Sequence, residues 1–401
     1  MPLQGTRNSR KGSHPRRREV AVLGVALSDC GRVDDATPYA LHAQAARRAL
    51  ADSGLDRSVV DGFASAGLGT LAPAEVADYL GLCPTWVDST SVGGSTWEVM
   101  AAHAADAIAA GHAEAVLLVY GSTARADLKA GRRTANLSFG ARGPLQFEVP
   151  YGHTLVAKYA MAARRHMHQY GTTLAQLAEI AVQARANAAR NPDAMYRTPI
   201  TVDDVLSGPV IADPFTKLHC CIRSDGGCAV LLAAAEYAAD AAKPPVWILG
   251  SGTALSHTTM SEWDDFTVSP ASVSGPLAFR RAGVSPADID LAEIYDAFTY
   301  MTLVTLEDLG FCAKGEGGAF VEKGRLTIDG DLPVNTDGGG LAACHPGMRG
   351  LFLLVEAVRQ LRGEAGDRQV RKAGGRLPRL AVASGTGGWF CSSGTVVLGR
   401  D

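Results

Sequence analysis

No stretch of this 401-residue chain comes near the ~20 consecutive apolar residues that a membrane-crossing helix needs, and nothing in it resembles a secretory leader. A cytoplasmic protein without membrane contact is therefore expected. Paired cysteine spacing is missing as well: the cysteines at 30, 83, 220, 221, 228, 312, 344 and 391 contain no C-x-x-C. Reduced thiols are expected and structural zinc is not, since His219, Cys220, Cys221 and Cys228 have the wrong spacing for that metal. Excess charge of one sign is absent too, because a net −3 exerts no long-range pull on nucleic acid. The exception is local. Arg7, Arg10, Lys11, Arg16, Arg17 and Arg18 crowd residues 1–18, which read as a disordered basic tail rather than a binding arm.

What is present suits a folded enzyme. A composition 47% hydrophobic and 20% charged lies outside the disordered class, and the length allows two domains or two fused halves. The most informative stretch begins at Leu291-Ala-Glu-Ile-Tyr-Asp-Ala-Phe-Thr299, read as a buried strand that breaks at Tyr295-Asp296. Asp296 is expected to cap the helix that follows. Further on, Asn335-Thr-Asp-Gly-Gly-Gly-Leu-Ala-Ala-Cys-His-Pro-Gly347 combines three glycines, which permit close backbone approach, with a cysteine, a histidine and a proline. The helical pattern from Leu351 to Arg362 then places His345 just ahead of a helix start, where a histidine can polarise a carbonyl oxygen. Lys314 and Glu316, between these pieces, read as solvated loop charges.

The chain also repeats itself. Strand Val20–Gly24 and helix Tyr39–Asp52 open a pattern that returns at Val246–Gly250. At a constant offset of 229, Gly54, Leu55, Val60 and Asp61 match Gly283, Val284, Ile289 and Asp290. Glycine turns at Ser91–Gly94 and Asp337–Gly340, then strands Ala115–Gly121 and Leu380–Gly385, continue the echo. Two similar βαβ halves follow, with residues 19–242 in the first, 243–401 in the second and an insertion at about 125–235. Ser95-Thr-Trp-Glu98 reads as a capping box ahead of a helix over Val99–Ala110, with Ser91 on the turn before it. A nucleophile often occupies such a turn, but this one is not Gly-x-Ser-x-Gly, which speaks against a serine hydrolase.

Together these pieces resemble the thiolase superfamily, and within it the branch of thiolase-like lipid-transfer proteins and steroid side-chain aldolases. The matching segments are Val87–Thr96, Ser224–Gly227, Tyr295–Thr299, Gly310–Gly318, Asn335–Gly340, Cys344–Gly347 and Ser384–Gly388. The resemblance implies a layered α-β-α-β-α core, a homodimer, and a separate small partner with a zinc ribbon and an OB-fold. It also exposes departures. Ser91 stands where a thiolase carries its nucleophilic cysteine, Ser384 at the position matched to the second cysteine, and Tyr295 where an Asn or His orients a water.

A serine is a poor nucleophile without a base, so acyl transfer through Ser91 is disfavoured. A tyrosine can take a hydroxyl proton if donors lower its pKa, which fits the retro-aldol cleavage of β-hydroxyacyl-CoA thioesters that this branch implies. On that reading Tyr295 is the base and His345 holds the enolate oxygen with backbone amides near Gly387 and Gly388. Cys344 or a water returns a proton. Ser91, Asn335 and Gly339 line the substrate, and no cofactor is needed beyond the CoA of the substrate itself. An acetyl-CoA acetyltransferase-like enzyme and a non-catalytic lipid- or CoA-binding protein are the alternatives.

Overall fold

The computed structural model describes residues 20–69, 71–132, 143–152 and 154–400; the basic tail lies outside them. Among the described residues, eleven strands and twelve α-helices follow one another. In the first half come β1 (Val20–Leu27), α1 (Pro38–Ser53), β2 (Gly62–Ala64), α2 (Ala72–Leu80), β3 (Trp86–Asp88), α3 (Thr96–Ala109) and β4 (Ala115–Ser122). An excursion then carries α4 (Ala124–Lys129), α5 (Leu155–Tyr170), α6 (Leu174–Ala189), α7 (Val202–Leu206), β5 (Val210–Ala212) and β6 (Phe215–Thr216). The chain then returns to the main sheet with β7 (Gly226–Ala234). The second half holds β8 (Val246–Leu255), α8 (Ala271–Ala282), β9 (Leu291–Ile294), α9 (Thr299–Asp308), α10 (Gly317–Phe320), α11 (Gly339–Ala342), α12 (Gly350–Arg362), β10 (Leu380–Gly387) and β11 (Ser392–Gly399).

Nine strands form one mixed sheet in the order β3-β2-β4-β7-β1-β8-β11-β10-β9. Read outward from its middle, the pairing repeats. β1 is antiparallel to β7, β7 antiparallel to β4, and β4, β2 and β3 run parallel. Likewise β8 is antiparallel to β11, β11 antiparallel to β10, β10 parallel to β9, and β9 meets Val334 in a parallel bridge. The two sets join only at Ala21↔Trp247 and Val22↔Val246. The internal repeat thus extends to single side chains. Gly54 and Gly283 end α1 and α8 in the left-handed conformation, at φ 73° and 68°. Asp61 accepts the N–H groups of Glu114 and Ala115 at the start of β4, and Asp290 those of Arg379 and Leu380 at the start of β10.

Layering follows from burial. α1 covers the outer face of the first half and α8 that of the second, while α3 and α12 lie between the halves and touch strands of both. A helix buried on all sides must be apolar all round, and Leu351, Phe352, Leu353, Leu354, Val355, Ala357 and Val358 of α12 are all buried. This central layer aims the start of α3 and the approach to α12 at the same region. No helix among the described residues is long and apolar enough to cross a membrane.

Candidate active site

Tyr295 directly follows β9, so the sheet fixes its backbone: its N–H donates to the Ser384 carbonyl on β10 at 2.9 Å. The His345 ring meets it edge-on, with centroids 5.5 Å apart and planes at 85°. The two predicted groups therefore face one another. Two glycines make the meeting possible. A Cβ on Gly94 would fall 2.5 Å from Tyr295 Cζ, and one on Gly340 would fall 2.9 Å from His345 Cδ2. Among the described residues the buried Nε2 of His345 has no hydrogen-bond partner, which leaves a donor or acceptor for a ligand atom.

Electrostatics treat the pair differently. Burial, aided by the nearby Arg349 charge, pushes His345 down to about 4, so the imidazole is neutral at physiological pH. Burial also raises the Tyr295 phenol well above 10, and the Arg349 backbone N–H favours the phenolate only weakly against it. This corrects the expectation that nearby donors lower the tyrosine. Nonpolar surroundings win because desolvation disfavours a lone phenolate more than one N–H stabilises it.

The other expected residues take varied places. Cys344 is buried, and its thiol lies 3.1 Å from the Ser224 hydroxyl and 3.7 Å from the Asp225 carbonyl. Contact with Cys30 and the Ser224 bond, against burial, keep that thiol below the usual range. Asn335, at φ 50°, accepts the Ile294 N–H through its side-chain oxygen at 2.7 Å, so it braces the end of β9. Gly339 turns at φ 69° beside Asp296 and Asn335. Gly387 and Gly388 pack on Gly93, where a Cβ would fall 2.7 Å from the Gly388 nitrogen. Ser91 is exposed on the loop before α3. The Ser384 hydroxyl turns away to Thr395 at 3.1 Å, and Thr395 bonds Ser274 of α8.

Three further expectations fail. Asp296 does not cap α9; its carboxylate accepts the N–H groups of Gly340 and Leu341 at 2.7 and 3.2 Å, tying the glycine turn to Tyr295. The capping box is not made either. α3 starts at Thr96, Ser95 bonds Ser392 at 2.7 Å, and Glu98 is buried with neither oxygen partnered among the described residues. Lys314 is no solvated charge: it pairs with Asp308 at 2.6 Å and Glu307 at 3.1 Å, both carboxylates being buried. Sequence reasoning missed Arg349 altogether, although an arginine inside the otherwise apolar and glycine-containing run from Pro346 to Val355 was a visible signal. A cleft of about 750 Å³ runs along Val25–Cys30, Arg48, Lys243 and Arg359; one of its lining residues, Cys30, contacts Cys344.

A family model described as "Thiolase C-terminal domain-like" matches residues 252–400. An acetyl-CoA acetyltransferase of Methanothermobacter thermautotrophicus is 36% identical over 92% of this chain and 97% of its own length. The chain belongs to the thiolase superfamily. A steroid side-chain-cleaving aldolase of Thermomonospora curvata is 32% identical over 95% of this chain and 98% of its own. A 17-hydroxy-3-oxo-4-pregnene-20-carboxyl-CoA lyase of Mycobacterium tuberculosis reaches 33% over 92% and 97%. Among solved structures, an "Ltp2-ChsH2(DUF35) aldolase" superposes with a TM-score of 0.85 at 30% identity, covering 96% of this chain and 98% of the other. Within this superfamily fold the chain brings Tyr295 and His345 into edge-on contact.

Proposed function

We propose that the protein cleaves a bulky β-hydroxyacyl-CoA, such as one with a sterol or lipid side chain, by a retro-aldol reaction without a covalent acyl-enzyme. The observation that carries this reading is the Tyr295–His345 contact, ring centroids 5.5 Å apart, with Nε2 of the imidazole unpartnered among the described residues. Tyr295, as phenolate, takes the β-hydroxyl proton. The freed electron pair forms the new carbonyl, the Cα–Cβ bond breaks, and its electrons pass into the thioester enolate. Neutral His345 donates to that enolate oxygen through Nε2–H, with backbone N–H groups of Gly387 and Gly388 beside it. Because the Cys344 thiol is engaged by Ser224 and Asp225, the phenol of Tyr295 returns the proton to Cα. The products are a ketone or aldehyde and a shorter acyl-CoA.

The relatives named as a steroid side-chain-cleaving aldolase and a carboxyl-CoA lyase support this reaction class. A separate small partner, of the kind the name Ltp2-ChsH2(DUF35) couples to its aldolase, and a homodimeric state are parts of the proposal. A second reading, acyl transfer, is favoured by the 36% identity to an acetyl-CoA acetyltransferase. Intact-mass measurement separates the two. Incubation with β-hydroxyacyl-CoA should release carbonyl product and leave the protein mass unchanged; an added acyl mass on Ser91 with no carbonyl product would establish the transferase instead.

A further inference from the structure

We infer that Arg349 is a positioning residue, whose guanidinium ties the strand end carrying Tyr295 to the loop carrying His345 and so sets how the two rings meet. The inference rests on the roles proposed for those two residues. Arg349 is completely buried at the start of α12. Its Nη2 donates to both Asp337 oxygens at 2.6 and 2.7 Å, its Nη1 donates to the Cys344 carbonyl at 2.8 Å, and its Nε lies 3.5 Å from Asp296. Cys344 and Asp337 belong to the histidine loop, whereas Asp296 is the neighbour of Tyr295.

The carboxylates extend the clamp. Asp337 also accepts the Gly339 N–H at 2.8 Å, and Asp296 accepts the Gly340 N–H at 2.7 Å. Gly340 is the residue whose missing side chain makes room for the His345 ring. Through Asp337 and Asp296 the guanidinium therefore bears on both the turn under the imidazole and the residue next to the phenol. A buried arginine is costly unless it is paired; here Nη1 and Nη2 carry the hydrogen bonds, Nε contributes only its ion pair with Asp296, and the groups joined are the chain neighbours of the two candidate reacting residues.

The same charge acts on the imidazole. Next to His345 stand the Tyr295 ring, the preceding Cys344 and, across Gly340, the Asp296 carboxyl; Asp337 reaches the same loop through Arg349, and Glu98 lies against Gly350. Burial pushes Asp296 up to about 7; at Asp337 burial pulls the same way, but the Arg349 charge and hydrogen bonds, the Gly339 N–H and the Arg368 charge together hold that carboxyl below its ordinary value. Burial first, and then the Arg349 cation, hold His345 at about 4.

The test uses the full-length protein, with melting curves as a check on folding. The His345 imidazole is titrated by NMR without ligand, and cleavage of a β-hydroxyacyl-CoA is measured in parallel. Arg349→Met should raise the His345 midpoint toward its ordinary value by about one unit or more and lower kcat about 100-fold, with KM little changed. Arg349→Lys keeps the charge without the two-pronged geometry. It should leave the midpoint low yet still lower kcat about tenfold. A folded Arg349→Met protein with an unmoved midpoint, or an Arg349→Lys protein with full kcat, would overturn the inference. Should Arg349→Met fail to fold, Arg349→Lys alone decides. If the parent protein cleaves no hydroxyacyl-CoA, the aldolase reading fails, while the ligand-free midpoint still tests Arg349.

Discussion

Replacing Glu98 by Gln should make the protein more stable at neutral and alkaline pH and leave that gain absent in acid. Glu98 lies wholly inside the central layer, and neither oxygen has a partner among the described residues. A Cβ on Gly350 would come within 2.5 Å of one of them, so glycine there keeps the space open. Burial pushes the carboxyl up from 4.5 to about 8. Between those values the folded protein keeps a proton that the unfolded chain releases, so the contribution to stability shrinks as pH rises through this window. From 4.5 to pH 7 is 2.5 units, which at about 1.4 kcal/mol per unit amounts to about 3 kcal/mol. Glutamine has nearly the same shape and no proton to hold. Any packing or amide cost of the change is the same at every pH, so the signature is the pH trend and not the absolute shift. Scanning calorimetry on both proteins from pH 5 to pH 8 should show the difference in Tm widening by several degrees in favour of Glu98→Gln. Parallel curves would refute the claim that this carboxyl is buried and uncharged.

If Tyr295 works as the base, its raised pKa means that kcat/KM climbs with pH and shows no plateau below pH 9; a profile flat from pH 7 upward would remove it from that role. Cys344→Ser should retain most cleavage activity, because the thiol is turned to Ser224 and Asp225; loss of more than about 100-fold would return the proton-donor role to Cys344. Lys314→Met strips the cation from two buried carboxylates, Glu307 and Asp308, and should cost about 3–5 kcal/mol in denaturant unfolding.

Much of the architecture was legible because the duplicated pieces carry local, self-explanatory chemistry. Gly54 and Gly283 stop helices, and Asp61 and Asp290 each collect the first amides of a strand. The same physics acts twice, so the repeat shows in the letters. Tyr295 and His345 were legible for a similar reason: a strand that breaks at a polar pair and a glycine-rich turn before an apolar helix are both short-range signals. What escaped was decided over distance. Ser95-x-x-Glu98 has the letters of a capping box, but Ser392 on β11 takes the serine, and the space left by Gly350 receives the glutamate. Asp296 has the letters of a helix cap, but the amides of Gly340 and Leu341, far along the chain, reach it instead. The depth at which Tyr295 sits, and hence the direction in which its pKa moves, depends on packing that no local pattern records.

The most direct test of the account compares Tyr295→Phe with Ser91→Ala in steady-state cleavage of a bulky β-hydroxyacyl-CoA, with melting curves confirming that both are folded. The account predicts that Tyr295→Phe lowers kcat by about 100-fold or more, while Ser91→Ala stays within a few-fold of the parent. Equal loss in the two variants, or a Tyr295→Phe protein that still cleaves at the parental rate, would contradict it.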